Sequence, residues 1–309
     1  MTSTGSETMV AQEARSEAHE AYDGPEASKV RAVWTLVRDE AQRLERRDGS
    51  SFLLLTEPLM LLRFLRARDL DVEAAAAMWH DSAAFRCAKV PRALHEMGAF
   101  EDGNGWSWRF HDQAPTVRGT LGCRHGHARR APFLSKDGEP VLIWRLGRLD
   151  VSGIVREGIA DVVAMAQVAH LEDALQACRR DDAYVRARCV ADLTGLRISA
   201  VVPNIKHVKR MLSLTKYYAE VTKSVTFVNA PFGFQTVWDL VSLLLNDHMR
   251  SKVKILGTDF RAALAQHACI DPEKLPKSLG GQASDSIMAP CLPVPKNITL
   301  PTDAPFLDD

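Results

Sequence analysis

The stretch SVTFVNAPFGFQTVWDLVSLLLNDHMRSKVKIL, residues 224–256, decides the fold prediction, because it indicates a strand, a helix and a second strand in that order. β-branched and aromatic residues over 224–229 predict the first strand, and alternation over 252–255 predicts the second. Pro231 and Gly233 separate the first strand from the helix. Such a βαβ unit is expected to have parallel strands joined by a right-handed crossover.

The helix of this unit, residues 234–245, is amphipathic. Gln235, Thr236 and Asp239 lie opposite its apolar face. A helix fixed in a protein core gives a similar pattern, so a fixed helix and a movable one both remain open at this point. The apolar face comprises Phe234, Val237, Trp238, Val241, Leu244 and Leu245.

Strands and helices also alternate on both sides of this unit. Strands are predicted over 141–146 and 185–193, and helices over 158–180, 204–218 and 259–268. Alternation of this kind is typical of an open, largely parallel sheet covered by helices. The predicted fold class is therefore α/β.

The rest of the chain divides by composition. Residues 1–28 contain few large apolar side chains and are predicted to form a disordered tail. Apolar residues at helical spacing predict a helical module over 29–90, and 91–135 shows no period and is read as an irregular connection with one short helix at most. Residues 136–281 form the α/β domain, and the proline-rich 282–309 are expected to be an extended tail or to wrap the surface.

Bulk composition excludes several classes of protein. The 309 residues include 39 lysines and arginines against 39 aspartates and glutamates, so no overall field favours nucleic acid. The six cysteines show no CxxC spacing, which fits a reducing cytosol. No run approaches the roughly 20 apolar residues of a transmembrane helix, so any membrane contact is expected to be peripheral.

The sequence contains no set of residues typical of an enzyme. GxSxG, HExxH, GxGxxG and GxxxxGK[ST] do not occur, and the prediction is a binding protein without catalysis. Cys123, His125, His127 and His111 carry zinc-ligand chemistry, but the CxHxH spacing is too tight for a standard structural site. We therefore predict no metal and no cofactor other than a bound lipid.

Five sequence strings resemble the CRAL-TRIO lipid-binding family. NAPFGF at 229–234 and SKVKILG at 251–257 flank the amphipathic helix, as they do in that family. LLRFLRARDLDVEAA at 61–75 resembles the string that precedes the lipid-binding domain, and the DLTG at 192–195 and the LP…GG pattern at 275–281 resemble later motifs. The resemblance extends from about Pro58 to Gly281.

The resemblance implies a gated apolar cavity behind a small all-helical N-terminal module. Helix 234–245 would be the gate, with Pro231 and Gly233 as hinge residues. Each methylene moved from hydrocarbon into water costs about 0.8 kcal/mol, so a dry cavity lowers the barrier to moving a lipid.

The resemblance also implies residues for a phosphatidylinositol headgroup. Arg68, Glu220 and Lys252 stand at the matching positions, and a phosphate and inositol hydroxyls suit these side chains. Met249 replaces a threonine of the family pattern, and Asp69 stands where a basic residue often follows the arginine. Ordinary ion pairing of Arg68 and Glu220, with Lys252 solvated, is the alternative.

A second set of residues is predicted to line the apolar pocket and the gate. The phosphatidylcholine pattern is mostly lost, since hydroxyl-bearing positions are Ala187 and Cys189 and a pocket tyrosine is Leu142, while Tyr218 is retained. The predicted set is Leu142, Cys189, Tyr218, Phe227, Phe232, Phe234, Val237, Trp238, Val241, Leu244 and Leu245.

The predicted function is non-enzymatic lipid binding and transfer, with a phospholipid of the phosphatidylinositol class carried between cytosolic membrane surfaces by a monomer. A membrane-targeting or scaffolding module in phosphoinositide or small-GTPase signalling is the alternative. Carriage of a retinoid, a tocopherol or a sterol is a third possibility.

Overall fold

The structure is a computed structural model that describes residues 4–48, 54–101, 106–108, 116–180, 182–243, 245–288, 293–300 and 305–307. The chain forms two compact units. The first unit comprises Met1–Pro91, Arg179–Tyr184 and Lys216–Glu220. The second comprises Arg92–Cys178, Val185–Thr215 and Val221–Asp309.

The first unit is helical, as the sequence predicts for residues 29–90. The apolar face of the second helix lies in the core of this unit. The spacing that predicts this helix is the spacing of the helix's buried residues, which are Val30, Val33, Trp34, Val37, Ala41 and Leu44. Its helices are α1 (Thr4–Ala21), α2 (Ala27–Asp48), α3 (Pro58–Arg66) and α4 (Val72–Glu96), of which the last turn of α4 belongs to the second unit.

Helix α1 corrects the prediction that residues 1–28 are disordered. The His19 ring is 1% exposed and stacks on Trp34, with ring centroids 4.6 Å apart. Arg15 forms an ion pair with Glu45 of α2. The prediction of disorder rested on the scarcity of large apolar side chains in residues 1–28. Helix α1 is instead held by a stacked imidazole and an ion pair, which amino-acid composition does not reveal.

The second unit contains the sheet and the helices that cover it. In chain order its elements are β1 (Ala99–Glu101), β2 (Trp106–Trp108), α5 (Val117–His125), β3 (Ala128–Leu134), β4 (Pro140–Trp144), α6 (Val151–Arg156), α7 (Ala160–Cys178), β5 (Ala187–Asp192), α8 (Ile198–Val201), α9 (Ile205–Ser213), β6 (Thr222–Val228), α10 (Phe234–Ser242), α11 (Asp247–Ser251), β7 (Val253–Ile255) and α12 (Arg261–His267).

The main sheet has five strands in the order β3-β4-β5-β6-β7. β3 is antiparallel to β4, and every other neighbouring pair is parallel, including β6 and β7. This confirms the predicted α/β class and the parallel strands of the βαβ unit. The crossover differs in detail, because α10 ends at Ser242 and a short helix, α11, capped by Asn246, follows it.

The segment 91–135 is more regular than the predicted irregular connection. It contains the paired strands β1 and β2, helix α5 and the edge strand β3. The side chain of Thr116 accepts a hydrogen bond from Gly119 N at 2.9 Å and so caps α5. Pro132 lies within β3, and β3 is an edge strand, where proline is tolerated. The charged residues and the proline of β3 interrupt the alternation of apolar and polar residues that predicts a strand.

The C-terminal tail runs along the second unit. Val294, Phe306 and Leu307 are buried. Backbone N–H groups of the tail donate to Asp150 and Asp161 at the starts of α6 and α7 and to Glu157 at the end of α6. The described part of this tail therefore lies on the surface of α6 and α7.

Candidate functional site

One face of the sheet carries three of the predicted pocket residues. Leu142 pairs with Cys189, and Cys189 with Val225, in adjacent strands. Ala191 pairs with Phe227 two residues further along. Because side chains alternate along a strand, Leu142, Cys189 and Phe227 share this face.

The opposite face of the sheet is filled by a separate apolar cluster. Val141, Ile143 and Val190 pack there with Phe260 and Leu264 of the α12 region. The face that carries Leu142, Cys189 and Phe227, called the Leu142 face below, is therefore covered by other helices. Of these, α7 contacts β3, β4 and β5.

Cys189 shows that the part of this face beneath α7 is fully buried. Its side chain is fully buried, and burial raises the pKa of the thiol to about 12, with Cys178 of α7 acting in the same direction. The thiol is therefore neutral and behaves as a small apolar group. That chemistry suits the wall of an apolar site.

Helix α10 rests on the same face through the side chain of Phe227. The ring centroid of Phe227 lies 5.5 Å from that of Phe234 and 6.1 Å from that of Trp238. Phe234 and Val237 are each 6% exposed. Trp238 and Val241 are partly buried in the same cluster. The predicted apolar face of this helix therefore points inward at four positions.

Both ends of α10 carry exposed apolar side chains. Phe232 is fully exposed and Leu243 is 76% exposed. Phe232, which we predicted as a pocket residue, is therefore on the surface. Of the last two predicted gate residues, Leu245 is half-buried and Leu244 lies outside the described residues.

The turn before α10 requires a left-handed backbone conformation at Gly233. Gly233 caps the helix with φ 84°, and a Cβ there would contact nothing within 4 Å, so backbone conformation rather than space favours glycine. Upstream, Asn229 donates from Nδ2 to Asp192 Oδ1 at 2.9 Å. In the sequence, Asp192 is only part of the DLTG motif, and nothing there predicts that it anchors the segment before Pro231.

The DLTG turn is closed by the same carboxylate. Asp192 Oδ1 accepts from Thr194 N at 3.0 Å and from Thr194 Oγ1 at 2.6 Å. An Asx turn of this kind ends β5 sharply. The ends of β5 and β6 are thus tied together just before Pro231.

Arg68, the predicted phosphate-binding arginine, belongs to the first unit and is exposed. It lies in the turn after α3, where Asp69 and Leu70 have positive φ values of 50° and 65°. Its Nη1 donates to Ala67 O at 2.9 Å. The side chain therefore projects from a well-defined turn and makes only a local contact among those described.

Glu220, in the same unit, is positioned by an arginine that sequence analysis missed. Arg63 is 1% exposed and donates from Nη1 to Glu220 O at 2.8 Å. The Arg63 guanidinium also lies over the Tyr184 ring, 4.9 Å from its centroid. Glu220 is buried, with φ 49°. The sequence signal is a lone arginine within the apolar string LLRFL.

Tyr218 and Lys252 lie in different units. Tyr218 is buried in the first unit. Lys252, in the second, ends α11, and its carbonyl accepts from Val225 N at 2.9 Å. Met249, at the position of the missing threonine, donates from its backbone N to Asn246 Oδ1 at 2.8 Å.

Comparison with known proteins places these features in a family. The model of the CRAL/TRIO domain matches residues 134–281, and that of the CRAL/TRIO N-terminal domain matches residues 17–81. The SEC14 cytosolic factor of Kluyveromyces lactis is 30% identical over 233 residues, which cover 73% of this chain and 71% of that protein. The chain belongs to the CRAL-TRIO family. Proteins of this family are lipid-binding and transfer proteins and are generally not enzymes.

Two further similarities support the membership and the fold. Protein real-time of Drosophila pseudoobscura pseudoobscura is 31% identical over 239 residues, which cover 74% of this chain and 32% of that protein. The crystal structure of Sfh5 matches with a TM-score of 0.56 at 15% identity, over 80% of this chain and 84% of that one. The CRAL-TRIO fold is thus shown, while the second relative is about three times longer than the matched region.

Metal and membrane-spanning features were also predicted to be absent. Within the described ranges, no three His, Cys, Asp or Glu side chains are grouped as a metal site would require, and His111 of the considered set lies outside them. No helix in the described part of the chain is long and apolar enough to cross a bilayer.

Proposed function

We propose that this CRAL-TRIO protein carries one amphipathic lipid in an apolar cavity on the Leu142 face of the sheet, with α10 as its gate, and exchanges the lipid at membranes. The observation that carries the proposal is the seating of α10. Its inner residues Phe234 and Val237 are buried on the sheet face, while Phe232 and Leu243 at its ends are in solvent.

The energetics of lipid movement explain why such a helix is useful. A 16-carbon chain in water costs roughly 12 kcal/mol relative to hydrocarbon, at about 0.8 kcal/mol per methylene. A cavity that opened beside neutral, buried groups such as Leu142 and Cys189 would remove most of that cost. The gate then opens at the bilayer and closes in water.

Phe232 and Leu243 give the gate its membrane contact. An exposed aromatic and an exposed leucine at the two ends of one helix can both enter the acyl boundary of a bilayer. Burying each in the bilayer is favourable by about 1.5–3 kcal/mol. Contact with the membrane would thus favour the open gate, which exposes the inner face of α10 to acyl chains.

The ligand class is the finer part of the proposal. We propose that the headgroup is that of a phosphatidylinositol-class phospholipid and that Arg68, Glu220 and Lys252, the residues that the family resemblance implies, each contribute to binding it. The protein would then act as a cytoplasmic monomer, peripheral to membranes, with the lipid as its only bound cofactor. The cytosolic SEC14 factor named above supports this placement.

Vesicle-to-vesicle transfer of labelled phosphatidylinositol tests the proposal. The double substitution Lys252→Ala with Glu220→Gln should abolish transfer of the inositol lipid, because a cation and an anionic hydrogen-bond acceptor are both lost. Lys254→Ala is the matched control, since Lys254 is an exposed lysine two residues further along the chain, and it should transfer normally. Normal transfer by the double variant would refute the headgroup assignment.

The same assay separates the alternatives. A scaffolding module would recruit partners to membranes equally well with and without the double substitution, and it would transfer no lipid. A carrier of isoprenoids would transfer labelled tocopherol or retinol in competition with the phospholipid. Either result would replace the phosphoinositide assignment.

A further inference from the structure

The first unit contains a cavity that the proposed lipid site does not use. It has a volume of about 420 Å³ and lies between the end of α1, the start of α3 and Arg180. Small-molecule sites typically have volumes of roughly 300–1,000 Å³. Ala18, Pro58 and Leu59 provide an apolar part of its lining.

His19 lines this cavity, and its ring carries a hydrogen-bond acceptor that is not used. Its Nε2 lies 2.7 Å from Thr56 O, and a carbonyl only accepts, so Nε2 carries the ring proton and Nδ1 is the acceptor. Nδ1 is buried and has no hydrogen-bond partner within the described part of the chain. Burial lowers the pKa of His19, which keeps the ring neutral and Nδ1 available.

Glu57 supplies a second acceptor. Its Oε1 is paired with Arg179, whereas its Oε2 is buried without a hydrogen-bond partner among the described residues. Glu57 and His19 both line the cavity. A buried acceptor without a donor is costly, so two in one cavity point to a ligand that brings hydrogen-bond donors.

The charged side chains around the cavity indicate which group the other end of that ligand carries. Arg15 is engaged by Glu45 through two hydrogen bonds of 2.8 Å and 2.5 Å. Arg180 is exposed and has no ion-pair or hydrogen-bond partner in the ranges that the structure describes. A free guanidinium is the donor that suits a phosphate or a carboxylate. Asp23, also exposed, adds a carboxylate to the lining.

We propose that this cavity binds a small zwitterion. Its ammonium group donates to His19 Nδ1 and Glu57 Oε2, its anionic group binds Arg180, and its short carbon chain lies against Ala18 and Leu59. The shared chemistry is that of an ammonium and a phosphate or carboxylate a few bonds apart. A free metabolite and the headgroup of a zwitterionic lipid both provide it.

Titration of the full chain, followed by calorimetry or by amide chemical shifts, tests the proposal with three probes. These are ethanolamine phosphate, which has both charges, ethanolamine and inorganic phosphate. Ethanolamine phosphate should bind at least roughly tenfold more tightly than either other probe, because each end adds a charge-assisted hydrogen bond. Equal affinities for all three probes, or no binding at roughly 10 mM, would overturn the proposal.

Variants locate the site. Arg180→Ala should reduce the affinity for ethanolamine phosphate to that for ethanolamine, while Arg124→Ala, at an exposed arginine outside the cavity, should leave it unchanged. His19→Phe keeps an aromatic ring for Trp34 but removes the acceptor, and it should weaken binding of both ammonium probes. If His19→Phe fails to fold, the Arg180→Ala variant still tests the site, because Arg180 is exposed. Unchanged binding by Arg180→Ala would contradict the proposed site.

A fourth probe distinguishes the two sources of the ligand. Micelles of short-chain phosphatidylethanolamine that displace ethanolamine phosphate would identify a lipid headgroup as the occupant. Absence of displacement would identify a free small molecule. Both outcomes support a zwitterion site, and both are independent of vesicle transfer by the lipid cavity.

Discussion

Helices α7 and α10 cover the same face of the sheet, yet they are held very differently. Fourteen of the 19 residues of α7 are buried, including the charged Glu172 and Asp173. Only two of the nine residues of α10 are buried. Both segments are apolar and periodic in sequence. The comparison shows that periodicity predicts a helix and its inner face, whereas it does not predict how deeply the helix is buried.

The difference has a physical cause in side-chain size and position. Ala164, Ala166, Ala169 and Ala174 are buried in α7, and small side chains allow the helix to approach its neighbours closely. Helix α10 instead makes its buried contact mainly through Phe234 and Val237. Its detachment therefore exposes far less apolar surface than detachment of α7 would.

The largest expected effect tests this contrast by truncating one leucine in each helix. Leu175→Ala in α7, at a side chain 1% exposed, should lower the free energy of unfolding by about 2–5 kcal/mol, because it leaves a cavity in the core. Leu240→Ala in α10, at a half-buried side chain, should cost about 1 kcal/mol or less. Urea unfolding measures both. Similar losses would show that α10 is as firmly packed as α7.

The next effect concerns the exposed ends of α10. Phe232→Ala with Leu243→Ala should reduce binding to vesicles at least about tenfold, because two side chains that enter the bilayer are lost. Stability should change by less than about 0.5 kcal/mol, since both residues are exposed. Co-sedimentation with vesicles measures the binding. Leu36→Ala, at a half-exposed leucine in the first unit, is the control. Unchanged binding would remove the membrane role from α10.

A further expected effect is a pH dependence of stability that is due to His170 of α7. Burial lowers the pKa of His170 from 6.5 to about 3, and Arg129 and His127 act in the same direction. Between these two values the unfolded chain binds a proton at His170 that the folded protein does not, so stability falls as pH falls. The limit for one group is about 1.4 kcal/mol per pH unit.

Urea unfolding between pH 7.5 and pH 5.0 measures this slope. H170Q should remove the contribution of this side chain, and the stability of the variant should therefore depend less on pH. An identical slope in H170Q would place the effect elsewhere.

The sequence predicted the elements whose signal is local. β-branched runs predicted β5 and β6, and the apolar spacing from Val30 to Leu44 predicted α2. The predicted end of α10 at residue 245 was wrong. Leu243 and Leu245 continue the apolar pattern, but the helix ends at Ser242 and α11 follows. Strand β3 was missed because an edge strand tolerates the charges and the proline that hide its alternation.

Side chains that act over long distances in sequence were harder to predict. Arg63 contacts the carbonyl of Glu220, 157 residues away, and nothing in the string LLRFL identifies that partner. The link between Asp192 and Asn229 spans 37 residues. The zwitterion cavity likewise combines α1, predicted to be disordered, with α3 and Arg180. The headgroup residues Arg68, Glu220 and Lys252 were predicted from the family resemblance, since no local pattern in the sequence identifies them.

Native mass spectrometry of the protein purified from eukaryotic cells tests whether a lipid is bound beneath α10. We expect a single additional mass that corresponds to one lipid, released by mild activation and identified as a phosphatidylinositol-class phospholipid. A mass of the bare chain, together with no transfer between vesicles, would contradict it.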